Sequence, residues 1–207
     1  MRRYIIEQTQ QLQKQSQQIM HQAQNEADRN VGRFCALELR NLERLHDAIY
    51  SPFMDKLMVN VTSTGNLGLI WILTALIMTV SEPRRRFGYS MIIALLLGIA
   101  IGNILIKNIV RRNRPFFHKN YKLLIKQPWD YSFPSGHTLS SFAAATTLFY
   151  MNKYVGLIGL GYACLIALSR LYLRVHFFTD VFFSMMLGTG LGILAINIYE
   201  HWICLYI

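Results

Sequence analysis

From residue 67 onward the chain alternates long apolar runs with short polar joints. Five apolar segments stand out, at 67–80, 89–110, 137–151, 154–173 and 177–199. A helix needs about 20 residues to cross the hydrocarbon core of a bilayer. The second, fourth and fifth segments meet that length, and the first and third reach it only by extending into flanking polar residues. The pattern predicts an all-α fold, an integral-membrane bundle of about five helices. The joints at 81–87 and 152–153 are short, so successive spans run in opposite directions. Gly98 with Gly102 and Gly188 with Gly192 have the four-residue spacing that lets helix backbones approach closely, although ordinary glycine use in membrane helices accounts for them equally well.

Upstream, Val31, Cys35, Leu39, Leu42, Leu45 and Ile49 recur at helical spacing opposite Arg33, Arg40, Glu43, Arg44 and Asp47. This is an amphipathic helix too charged to span. Residues 1–30 are rich in glutamine, with Ile5, Leu12 and Ile19 at heptad spacing, and read as a helical extension. The expected division is therefore 1–30 as extension and 31–207 as the membrane-embedded domain. No cleavable signal peptide is expected at the N-terminus.

Composition supports the bilayer reading, since 53% of the 207 residues are hydrophobic and 15% are charged. The net charge of +10 comes without zinc-finger, helix-turn-helix or RNA-binding patterns, so no nucleic-acid partner is expected. Anionic headgroups are the better match, each basic residue near the surface contributing about 1 kcal/mol of attraction. Cys35, Cys164 and Cys204 lack metal-ligand spacing and read as small core residues. Between Asp55 and Glu200 the only acids are Glu82, Asp130 and Asp180, too few for a hard-metal cage. No metal or other cofactor is expected.

Three polar stretches interrupt the apolar pattern, and alternating spans bring them to one face. In the first, Lys107 and Arg114 stand seven apart, two turns on one helix face if the helix persists to Pro115. Two cations so placed can grip one phosphate, Arg with a planar fork and Lys as a point charge. In the second, Pro134-Ser135-Gly136-His137 opens the third span. Backbone N–H groups at such a helix start favour an anion, and His137 is able to exchange a proton with a leaving oxygen. In the third, which contains Arg170, His176 and Asp180 stand four apart, so the carboxylate can accept the Nδ1 proton and leave Nε2 free for attack. Each stretch alone has an ordinary reading as a snorkelling helix end, a helix cap or a structural hydrogen bond. Ionisable residues in apolar sequence are nonetheless functional candidates.

Together, Lys107 with Arg114-Pro115, Pro134 to His137, and Ser169-Arg170 with His176 and Asp180 resemble the three-part signature of the phosphatidic-acid phosphatase type 2 superfamily. The resemblance covers residues 55–197. It implies metal-free lipid phosphate hydrolysis, with His176 as nucleophile, Asp180 as its orienter and His137 as proton donor and then base. Lys107, Arg114, Ser135, Gly136 and Arg170 would hold the phosphoryl oxygens. The compact form looks most like bacterial undecaprenyl diphosphate phosphatases, with phosphatidylglycerol phosphate and phosphatidic acid as alternative substrates. The positive charge at 107–126 favours the cytoplasmic side, but phosphate binding accounts for several of these cations, so the side the resemblance implies is expected: a multi-pass cell-membrane protein with its site outside the cytoplasm. Arg111, Arg112, His118, Lys119, Lys122 and Lys126 are either a second phosphate subsite or a basic surface loop. The non-enzyme rivals are a transporter, whose internal repeats are not seen, and a silent lipid-binding relative, against which intact His176, Asp180 and His137 argue.

Overall fold

The computed structural model describes residues 32–119 and 121–203, and the 1–30 extension lies outside them. The chain divides into two compact units, Met1–Asn41 and Leu42–Ile207. Every regular element among the described residues is helical. Helix α1 covers residues 32–49. All remaining elements and the candidate site lie in the second unit.

Helix α2, Pro52–Thr64, starts where the Ser51 hydroxyl accepts the Met54 N–H at 3.1 Å. The sequence pattern gave no helix here, because Asp55, Lys56 and Asn60 break its apolar run. A short 3-10 turn, Asn66–Gly68, follows, and both Leu67 (φ 54°) and Gly68 (φ 68°) are left-handed. Helix α3, Leu69–Val80, then continues at 45° to α2. Together the bent pair is long and apolar enough to cross a membrane, with the first apolar segment continued into its polar flank.

Helix α4, Arg85–Leu97, loosens into π-helical turns over Gly98–Ile106 and ends as α5, Lys107–Val110. The one-turn helix α6, Pro115–His118, comes next. After a loop come α7, Gly136–Met151, α8, Lys153–Tyr172, and α9, Phe178–Ile198. By length and composition, Glu82–His118, Lys153–Tyr172 and Phe178–Trp202 can cross a membrane, and the count rises to four if the bent α2–α3 pair crosses as one. At 16 residues α7 is shorter than these, one fewer long span than the pattern suggested.

Helix α7 instead occupies the centre, packed chiefly on α8 and α9, with Thr138, Ala143, Ala144 and Thr147 fully enclosed. Small residues make this possible. A Cβ at Gly188 of α9 would stand 2.5 Å from the Leu139 carbonyl oxygen, and one at Gly192 would stand 2.8 Å from that of Ala143. From the other side, a Cβ at Gly98 or Gly102 would collide with the Leu139 side chain at 2.5 and 2.6 Å. Both predicted glycine pairs therefore serve close approach to α7. The indole of Trp71 donates to the Ser141 hydroxyl at 2.9 Å, tying α3 to the same helix.

Candidate active site

The first stretch does not stay helical as far as Pro115. Arg111 adopts a left-handed conformation (φ 49°) that ends α5, so Lys107 and Arg114 do not share a helix face. They meet nonetheless, because both buried cations turn to Asp130. Lys107 Nζ pairs with one carboxylate oxygen, and Arg114 Nη2 lies 2.5 Å from the other. Arg114 is fixed further by the main chain, with Nε donating to Asp130 O and Nη1 to Val175 O, both at 2.8 Å. Burial alone would raise the Asp130 pKa, but Arg114 and Lys107 outweigh it and hold the carboxyl at about 2.

The second stretch caps α7. The Ser135 N–H donates to Ser184 Oγ of α9 at 2.8 Å, so it is already engaged within the fold, contrary to the expectation of an open donor. The N–H groups of Gly136, His137 and Thr138 precede the first intrahelical bond, from Leu139 to Ser135 O at 2.9 Å. A Cβ on Gly136 would stand 2.8 Å from Asn103 Oδ1, so any larger residue here would displace the Asn103 side chain of the loosened second span. His137 Nε2 lies 3.1 Å from Asn66 Oδ1. The bend between α2 and α3 thus presents Asn66 to the imidazole. His137 stands close enough to Arg170, Lys107 and Arg114 to feel their charge.

The third stretch brings Arg170 and His176 into the same neighbourhood. Arg170 is buried, with Nη1 donating to Thr62 Oγ1 at 2.5 Å and with an Nε that has no hydrogen-bond partner. His176, 1% exposed, lies between two groups of opposite kind. Its Nδ1 is 2.7 Å from the Ser132 carbonyl oxygen, and its Nε2 is 3.1 Å from Arg114 Nη1. A carbonyl only accepts and a guanidinium only donates, so Nδ1 carries the hydrogen and Nε2 the lone pair. Burial, then the charges of Arg114, Arg170 and Lys107, hold this imidazole well below its ordinary pKa and keep it neutral.

Asp180 does not make the expected direct hydrogen bond to His176. Its Oδ2 is 3.7 Å from His176 Nδ1, beyond a hydrogen bond. That oxygen instead accepts from Ser132 Oγ at 2.5 Å and from the Phe177 N–H at 2.9 Å, while Oδ1 accepts from Arg112 Nη1 at 2.6 Å. The reason is local: Asp180 sits in the first turn of α9, where its carboxylate caps its own helix. Ser132 therefore bridges the two residues, binding the carboxylate with its hydroxyl and the imidazole with its carbonyl. The sequence reading missed this bridge, since a serine two residues before Pro134 carries no signal of its own.

The loop cations separate in the same way. Arg112 turns inward to Asp180 and Thr179 and lies 4.0 Å over the Phe177 ring, and Lys119 pairs with Glu43. Arg111, Lys122 and Lys126 are exposed.

Residues 86–204 match the PAP2 superfamily. The undecaprenyl-diphosphatase of Sulfolobus acidocaldarius is 31% identical over 147 residues, 70% of each chain. The undecaprenyl-diphosphatase BcrC of Bacillus subtilis is 26% identical over 145 residues, 70% of this chain and 75% of its own. Among solved structures, LpxE of Aquifex aeolicus superposes with a TM-score of 0.67 at 28% identity, over 76% of this chain and 93% of that one. The transmembrane PAP2-type phosphatidylglycerolphosphate phosphatase of Bacillus subtilis shares the fold, with a TM-score of 0.64 at 23% identity over 82% and 94% of the two chains. With the three polar stretches gathered around one buried histidine in a multi-pass membrane bundle, and with these similarities, the chain belongs to the PAP2 superfamily of lipid phosphatases.

Proposed function

We propose that His176 of this lipid phosphatase attacks the phosphorus of a membrane lipid phosphate or diphosphate. The observation that carries the reading is the fixed tautomer of His176, whose Nε2 lone pair is aimed among buried cations. Nε2 forms the P–N bond as the P–O bond to the lipid breaks, and its electron pair leaves with that oxygen. His137 supplies the proton the leaving oxygen needs, then takes one from the water that cleaves the phosphohistidine, returning the electron pair to Nε2. Asp180 orients His176 through Ser132. Lys107, Arg114, Arg170, Gly136 and the hydroxyl of Ser135 hold the phosphoryl oxygens. The unpartnered Nε of Arg170 is a buried donor that such an oxygen would satisfy.

The reaction proceeds without a metal in this proposal, the fixed cations taking the electrostatic role that a magnesium ion has elsewhere. Among the described residues no three His, Cys, Asp or Glu side chains gather as a metal site would need. The substrate proposed is undecaprenyl diphosphate, yielding undecaprenyl phosphate and inorganic phosphate. The names of the Sulfolobus and Bacillus relatives support it. A second reading, phosphatidylglycerol phosphate, draws on the 27% identity to phosphatidylglycerophosphatase B of Bacillus subtilis. The active face is placed outside the cytoplasm, with Arg84, Arg85, Arg86 and Lys153 on the opposite face. Labelling of a cysteine introduced at Lys122 in intact cells tests that side. Phosphate release from a panel of purified lipid phosphates and diphosphates in detergent tests the reaction. Release from the diphosphate at the highest kcat/KM is expected, and no release from any lipid would overturn the proposal.

A further inference from the structure

The cradle formed by Lys107 and Arg114 already holds an anion supplied by the protein. Both oxygens of the Asp130 carboxylate are used, one on each cation. The two cations are buried, at 9% and 3% side-chain exposure, whereas Asp130 is 51% exposed. That asymmetry determines which partner can move. The carboxylate can swing into water once another anion takes its place, but the cations cannot follow it without leaving their enclosed positions. Arg114 also donates to the main-chain carbonyls of Asp130 and Val175, two bonds that do not involve the carboxylate.

We propose that Asp130 is an internal competitor for the phosphate cradle: its carboxylate neutralises Lys107 and Arg114 in the empty site, yields to the incoming phosphoryl group, and returns to displace inorganic phosphate after turnover. The inference rests on the reading above that these two cations hold the phosphate. Buried cations without a counter-charge are costly, so some anion must accompany them between turnovers. A carboxylate tethered by the chain competes at an effective concentration on the order of mM or more, enough to oppose a free phosphate ion. The cost of its displacement falls equally on substrate and product. Asp130 therefore weakens ground-state binding of both, and it acts through the cations without touching the reacting atoms.

The competing view makes Asp130 a simple positioning residue that keeps the two cations aligned. The views predict opposite signs. Purified enzyme in detergent is titrated calorimetrically with inorganic phosphate, and KM and kcat are measured on a lipid phosphate. If the carboxylate competes, Asp130→Asn binds phosphate about tenfold more tightly, with KM falling in parallel and no gain in kcat. Asp130→Glu, which keeps the carboxylate, stays near the wild type. Unchanged or weaker phosphate binding by Asp130→Asn overturns the inference, and Asp130→Ser provides the same comparison if the asparagine variant fails to fold. Lys107→Ala tests the cradle itself by losing phosphate binding. Should it bind as the wild type does, the cradle reading falls and this inference with it. If Lys107→Ala loses binding and Asp130→Asn does not gain it, only the inference falls.

Discussion

His176 Nδ1 donates to the carbonyl oxygen of Ser132 at 2.7 Å. A main-chain group, not a carboxylate, thus fixes the tautomer of the candidate nucleophile. Substitutions on either side of this bond consequently separate orientation from attack.

The first expected outcome is a graded series. His176→Ala, lacking the attacking nitrogen, should release no phosphate although the bundle still folds. Asp180→Asn should keep measurable turnover, with kcat reduced by about 10- to 100-fold, because it disturbs the support of Ser132, the ion pair with Arg112 and the cap of α9 but leaves the attacking nitrogen in place. Ser132→Ala should be milder still, since the carbonyl remains. Single-turnover phosphate release checks the order, and an Asp180→Asn variant as inactive as His176→Ala would restore the direct role for Asp180.

His137 is expected to matter in proportion to the basicity of the leaving group. Its substitution by alanine should slow release from a lipid phosphate by about 100-fold or more. The loss should shrink on an aryl phosphate whose phenolate leaves without a proton. Equal losses on the two substrates would show that His137 holds phosphate and does not donate to it.

Chelation is a separate test. With fixed cations around phosphorus, turnover should persist in EDTA, and vanadate, which copies five-coordinate phosphorus, should inhibit competitively. Loss of turnover in EDTA that added magnesium restores would disprove the metal-free reading.

Acid stability follows from the neutral His176. The unfolded chain takes up a proton on this residue near pH ~6.5, its ordinary value, while the folded protein resists it. The unfolded state therefore binds more protons below that pH, and stability rises with pH across the window. Thermal unfolding in detergent should come earlier as pH falls from about 7 to about 5, with a slope of up to about one proton from this group. His176→Asn should flatten part of that dependence. Asp130, held at about 2, has the opposite timing: its ion pairs persist through that window and are lost only in stronger acid. An identical slope in the variant would show that His176 does not carry it.

The sequence by itself determined the helical class, the limits of the long apolar segments to within a few residues, and the cations Lys107, Arg114 and Arg170 that gather with His137 near His176. Apolar periodicity and the need to enclose ionisable groups are local constraints, written residue by residue. The glycine pairs at Gly98 with Gly102 and Gly188 with Gly192 were likewise readable, because their spacing follows from helix geometry alone. Only the tertiary structure decided which partner each polar atom takes. Asp180 had a histidine one turn away and chose Ser132, Arg112 and its own helix start. Lys107 and Arg114 converge through a broken helix and an aspartate from a distant loop, not along one face. Helix α2 and the bend that brings Asn66 to His137 carry no strong apolar pattern. Hydrogen-bond partners are settled by competition among groups distant in sequence, and in a buried site the arrangement that satisfies the most of them prevails.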